Sequence, residues 1–196
     1  MSPTTHLATL AAALVLGGVT AARPRAAPVP DTTAAAESVT TAQKGALIRS
    51  ALAAAPESVA AHAAVVVPGP DGKMMELRSG TNAFTCIPDN PESPGKDPMC
   101  LDQQGLLWAQ SLMSHAEKPA STAPGIAYML QGGSDISATD PWAKSTTNFV
   151  KSPPHWMLLW PVDASESGFP TTPKKTGSWI MWAGTPYAHL MVNQVP

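Results

Sequence analysis

Apolar positions in this chain follow two kinds of pattern, and each predicts a different element. Over residues 41–55, Leu47, Ile48, Ala51, Leu52 and Ala55 recur at the three-and-four spacing of a helix with one buried face. Pro56 stops that run. Pro56-Glu57-Ser58 suits one further turn, because proline is tolerated at a helix start. A second helical stretch begins after Asp102, whose carboxylate can cap free amides, and carries Leu106, Leu107, Ala109, Gln110, Met113 and Ser114 toward Glu117. Pro119 ends it. The β-branched run at 63–67, the turn-forming Asp71-Gly72 and residues 73–78 predict a hairpin.

Four nearly continuous apolar runs follow, at 126–130, 156–160, 179–182 and 187–192. Their length and their Gly and Pro boundaries predict strands, and their continuity predicts strands covered on both faces. The last two runs, joined by Ala183-Gly-Thr-Pro186, predict a second hairpin. Residues 85–100 are so rich in proline, which lacks an amide donor, that they predict no regular structure. The pattern as a whole predicts an α+β fold. A mostly antiparallel sheet of five or six strands carries at least two packed helices and one disulfide.

The start of the chain differs in kind. Leu7-Ala-Thr-Leu-Ala-Ala-Ala-Leu-Val-Leu16 is an apolar stretch closed by small residues and followed by Arg23, the layout of a secretion signal and its cleavage site. We read residues 1–22 as a signal peptide, 23–39 as a flexible Pro/Ala/Thr-rich linker, and 40–196 as one globular domain. That places the mature protein outside the cytoplasm, secreted or periplasmic. Net charge is −2 and the longest basic run is Lys174-Lys175, so the clustered basic face that nucleic-acid binding needs is missing from the sequence. Beyond the leader no apolar run reaches the roughly 20 residues that span a bilayer, so no membrane association is expected after cleavage.

An oxidising compartment changes what the two cysteines mean. Cys86 and Cys100 read as a structural disulfide, because metal-thiolate and redox pairs favour the close C-x2-C spacing that this chain lacks. Other residues could carry chemistry. His155 and His189 stand on two of the apolar runs and would form a two-imidazole site if those strands are near one another. Tyr187 shares the face of His189 by the two-residue alternation of a strand. Residues 131–142 leave a strand through two glycines and offer Ser134, Asp135 and Asp140 as possible anion or cation contacts, although turns use the same residue types. Six tryptophans, at 108, 142, 156, 160, 179 and 182, could line a ligand groove or simply fill a core. No metal or cofactor signature is present, so none is expected.

Three longer strings carry a resemblance. They are Thr85-Cys-Ile-Pro-Asp-Asn-Pro-Glu-Ser-Pro-Gly-Lys-Asp-Pro-Met-Cys-Leu-Asp102, Tyr128-Met-Leu-Gln-Gly-Gly-Ser-Asp135, and Met181-Trp-Ala-Gly-Thr-Pro-Tyr-Ala-His-Leu-Met-Val192. With them the chain resembles a family of secreted bacterial proteins that are uncharacterised. The resemblance implies secretion and a single domain, and nothing about chemistry. Two function classes stay open. The first is a module that binds a small molecule or a protein. The alternative is a secreted hydrolase with a His/Asp or metal-assisted site. The absence of a nucleophile motif favours the first.

Overall fold

The computed structural model describes residues 40–69, 73–144 and 149–194. The segments read as a signal peptide and a linker, and the expected turn at Asp71-Gly72, lie outside the described residues. Two helices open the described chain, α1 (Thr41–Leu52) and α2 (Glu57–Ala60), then β1 (Ala64–Pro68), β2 (Met74–Arg78), β3 (Thr85–Ile87) and β4 (Met99–Leu101). They are followed by α3 (Gln103–Met113), β5 (Gly125–Met129), β6 (Gly133–Asp135), β7 (Val150–Ser152), β8 (His155–Leu159), α4 (Ala164–Ser167), β9 (Gly177–Met181) and β10 (His189–Asn193). All these elements belong to one compact unit, residues 36–196. None of the described helices is long and apolar enough to cross a membrane.

The main helices start where local chemistry says they should. Thr40 accepts from the Gln43 amide while the Gln43 side chain accepts from the Thr40 amide, a reciprocal cap for α1. Asp102 caps α3 by accepting from the Gly105 amide at 2.7 Å.

The α+β class holds, but the sheet is larger than five or six strands. Eight strands pair in the order β2-β1-β3-β4-β5-β8-β10-β9, and β6 with β7 forms a separate two-stranded ribbon. Every pairing is antiparallel except β1 with β3. The extra strands include β3 and β4, inside the stretch whose prolines predict no regular structure. The prolines are confined to the loop between them and to its buried end at Pro98, so three residues on each side stay free to pair. Cys86 stands directly opposite Cys100 in that pair, and the two are bridged. Their α-carbons are 3.9 Å apart, closer than the usual span of about 4.4–6.8 Å.

The sheet separates two cores. On β4, Cys100 packs with Ala51 and Ala54, in α1 and just after it, whereas Leu101 packs with Trp108 of α3. Neighbouring residues of a strand point to opposite faces, so α1 and α3 cover opposite sides of the sheet. The α3 side holds a methionine-rich layer in which Ala127, Met157, Met191 and Trp179 stand in one row across four strands. On β5, β8 and β10 the other face is only half-buried, so coverage there is one-sided rather than two-sided. Helix α3 sits hard against β5. A β-carbon on Gly125 would fall 2.3 Å from the backbone nitrogen of Gly105, a contact that leaves room for no side chain.

Removing the disulfide should loosen the whole loop 87–99. The bridge spans a sequence separation of 14, a closure worth about 3 kcal/mol in the chain-entropy model. Proline stiffening of the unfolded loop reduces this to about 2 kcal/mol. Urea unfolding of the Cys86→Ala/Cys100→Ala protein against wild type measures it, and a difference under about 0.5 kcal/mol would contradict a structural role.

Candidate functional site

Between α3 and the sheet lies a cavity of about 380 Å³, within the range of small-molecule pockets. Its body is apolar. Trp108, Ala109, Leu112 and Met113 come from α3, while Met99, Leu101, Met129, Met157, Leu159 and Met181 come from the strands. Its polar lining residues are Asn90, Ser93, Asp97, Ser134, Asp135 and His189. An outer hollow of about 420 Å³ shares Ser134, Asp135 and Trp182 and adds Ser137 and Asp140.

Asp97 reaches the cavity because its loop is tied down at several points. The disulfide closes the base, the Asp89 amide donates to Ser50 Oγ of α1 at 3.1 Å, and the Asp97 amide donates to Asp89 Oδ1 at 2.7 Å. The Asp97 carboxylate then accepts from both the amide and the hydroxyl of Ser134. Gly133 makes room for this meeting, since a β-carbon there would come within 2.9 Å of the Met129 methyl, 3.4 Å of His155 Cε1 and 3.6 Å of Asp97 Oδ1.

The two aspartates are not equivalent. Asp135 is partly exposed, as a cavity-wall residue is, yet protein crowds it closely. Burial, helped by the negative charge of Asp97, raises its carboxyl from the ordinary 3.8 to about 6. No cation offsets that shift. Both histidines are buried and neutral at physiological pH. Burial pulls His189 down to about 4, against its hydrogen bond to the Tyr187 carbonyl and with repulsion from His155 adding to the fall. Burial also lowers His155, opposed by its bond to the Pro153 carbonyl and by the charge of Asp97.

A carbonyl can only accept, so each Nδ1 carries the proton: 2.7 Å to Pro153 O for His155 and 3.0 Å to Tyr187 O for His189. Each Nε2 is left as a lone pair. The His189 ring is fixed edge-on to Trp108 and Trp182 at centroid distances of 5.2 and 5.0 Å, and the two indoles stack at 6.0 Å.

Three of the residues singled out from the sequence therefore line one cavity, Ser134, Asp135 and His189, while His155 lies close to Gly133. The two imidazoles do not face each other. Asn193, not His189, stands opposite His155 in the ladder, which sets the histidines four register positions apart. Among the described residues no three His, Cys, Asp or Glu side chains are grouped to hold a metal ion.

Tyr187 departs from the expectation. It lies in the turn before β10, not on the strand, and its hydroxyl donates to the Ala116 carbonyl at 2.8 Å while its ring supports Trp108 and Trp142. Trp182 also leaves the strand pattern. Its positive φ of 54° ends β9 and turns the ring toward the core on the α3 side. Asp140 sits at the outer hollow, where its carboxylate accepts from the Trp142 amide at 2.9 Å and holds a turn. Sequence reasoning missed Asp97. It lies in a proline-rich loop with no spacing signal, and only the Ser134 contact, 37 residues away, gives it a role.

No family model, curated protein or solved structure matches this chain.

Proposed function

We propose that this protein is an extracytoplasmic binding protein for a small molecule, held in the cavity between α3 and the sheet. One observation carries the reading: a cavity of ligand size is walled chiefly by apolar side chains, and Asp97, Ser134 and Asp135 meet in its wall. An apolar ligand body would pack against methionines, which adapt to irregular shapes, and a polar head would be oriented by Asp97 and Asp135. The leader pattern and the disulfide support the compartment.

An acid–base hydrolase is the second reading, favoured by Asp135, whose carboxyl at about 6 could hold a proton where most carboxyls cannot. It has less support. The Ser134 hydroxyl is directed to Asp97 rather than to a histidine, so no activated serine is assembled.

Methionine methyl groups provide the test. With 13C-labelled methionine methyls, a library of small apolar-bodied compounds should give hits that shift the signals of Met99, Met129, Met157 and Met181, leaving exposed Met74 and Met75 unmoved. Hits that move only Met74 and Met75, or no hits at millimolar concentration, would refute a cavity ligand.

A further inference from the structure

Resting on the cavity-ligand reading, we propose that the ligand's head group is a cation, an organic ammonium carried on an apolar body. The polar groups in the cavity wall are chiefly acceptors whose own protons are committed elsewhere. Ser93 donates to the carbonyls of Asn90 and Gly95 at 2.8 and 3.1 Å, and Ser134 donates to Asp97. His189 is only 2% exposed, and with Nδ1–H engaged by Tyr187 O its Nε2 has no partner among the described residues. The Asp135 carboxyl likewise accepts no hydrogen bond from any described residue, and the one charge acting on it is that of Asp97. Among the described residues no Lys or Arg lines the cavity. The uncommitted donors among them are the Asn90 amide and the Trp108 indole N–H, and the indole N–H is sealed from solvent.

Charge and geometry then select the head group. An anion would face two carboxylates. A neutral hydroxyl could satisfy one acceptor and leave the carboxylates repelling each other. An ammonium can donate to Asp97 and Asp135 together, and its charge removes the repulsion. A bare metal ion fits poorly. A hard cation wants six or more oxygens, and beyond these carboxylates the walls are chiefly thioether and hydrocarbon. Those walls suit the carbon body of an amine instead.

Three probes of nearly one shape decide the question: 2-phenylethylammonium, 2-phenylethanol and 3-phenylpropanoate. They are titrated into the full chain at pH 7.5 by calorimetry, with the methionine methyl signals as the location readout. The ammonium should bind at least tenfold more tightly than the alcohol, and the propanoate should not bind. Asp135→Asn should weaken the ammonium at least tenfold and leave the alcohol within twofold. That variant should melt no lower than wild type, because it removes a carboxylate repelled by Asp97 and breaks no hydrogen bond. Asp140→Asn, at the outer hollow, should change neither.

Wild-type affinity gives a check free of any folding defect. The titratable groups nearest the head are Asp97 and Asp135, with His155 close to Gly133 and His189 elsewhere on the cavity wall. Of these, Asp135 gains its charge as pH rises through about 6, so ammonium affinity should fall at least threefold from pH 7.5 to pH 5 while alcohol affinity stays flat. An alcohol or propanoate that binds as tightly as the ammonium, or an ammonium affinity indifferent to Asp135→Asn and to pH, overturns the cation and leaves the cavity reading standing. If none of the three moves the cavity methionines, both are overturned.

Discussion

Trp108→Ala is expected to lower the free energy of unfolding by about 3–5 kcal/mol, the range for truncating a buried aromatic. Trp108 is 5% exposed and forms the centre of the aromatic cluster. It stacks on Trp182 with an interplanar angle of 4° and meets Tyr187 and His189 edge-on at 5.3 and 5.2 Å. Each such pair contributes about 0.5–1.5 kcal/mol beyond the area it buries, although the terms do not add fully. The indole N–H has no partner, so the variant sacrifices no hydrogen bond and the loss is packing alone. Tyr187→Phe is the contrast. It keeps its ring and gives up only the bond to Ala116 O, which is worth about 0.5–1.5 kcal/mol. Urea unfolding followed by far-ultraviolet circular dichroism, with the slope compared between variants, reads both. A Trp108→Ala loss below 1 kcal/mol at unchanged slope would mean that the cluster does not hold α3 to the sheet.

Stability should also fall in acid before the ordinary carboxylates titrate. His189 takes up a proton at about 4 in the folded protein and at 6.5 when unfolded. Its pKa is depressed on folding, so its contribution is fully present above about 6.5 and is lost as pH falls toward 4. The loss amounts to at most about 3 kcal/mol. His155 moves in the same direction. Asp135 opposes them: its pKa is raised on folding, so its unfavourable effect is greatest above about 6 and disappears as pH falls toward 3.8. Solvent at the cavity wall limits that opposing term to about 1–2 kcal/mol, so a net loss should survive. Unfolding free energies of wild type and His189→Gln between pH 8 and pH 4 test this through their slopes, independent of any constant offset. Equal slopes between 6.5 and 4 in both proteins would rule out a buried neutral His189.

How much of this was legible in the chain depends on the distance over which each feature is decided. Asp102 announced α3 because a cap acts within three residues, and the three-and-four spacing of apolar residues announced α1. The apolar runs at 126–130, 156–160 and 179–182 became β5, β8 and β9, since strand propensity and Gly or Pro boundaries are local too. The disulfide followed from cysteine number and spacing together with the exported character of the leader. Strands β3 and β4 were hidden. Three residues carry no periodicity, and what makes them strands is a partner across a loop of prolines.

The candidate site was legible only as loose members. Ser134, Asp135, His155 and His189 could be named from residue type, but their grouping depends on the strand order β4-β5-β8-β10, which no local pattern encodes. The same order separates His155 from His189 along the ladder and brings Asp97 to Ser134 in their place. Capping, strand character and cysteine pairing are short-range matters, written in neighbouring residues. Which carboxylate meets which histidine is settled by chain segments far apart in sequence packing on one sheet. That is why the elements could be read beforehand, and why Asp97 became visible only in the folded protein.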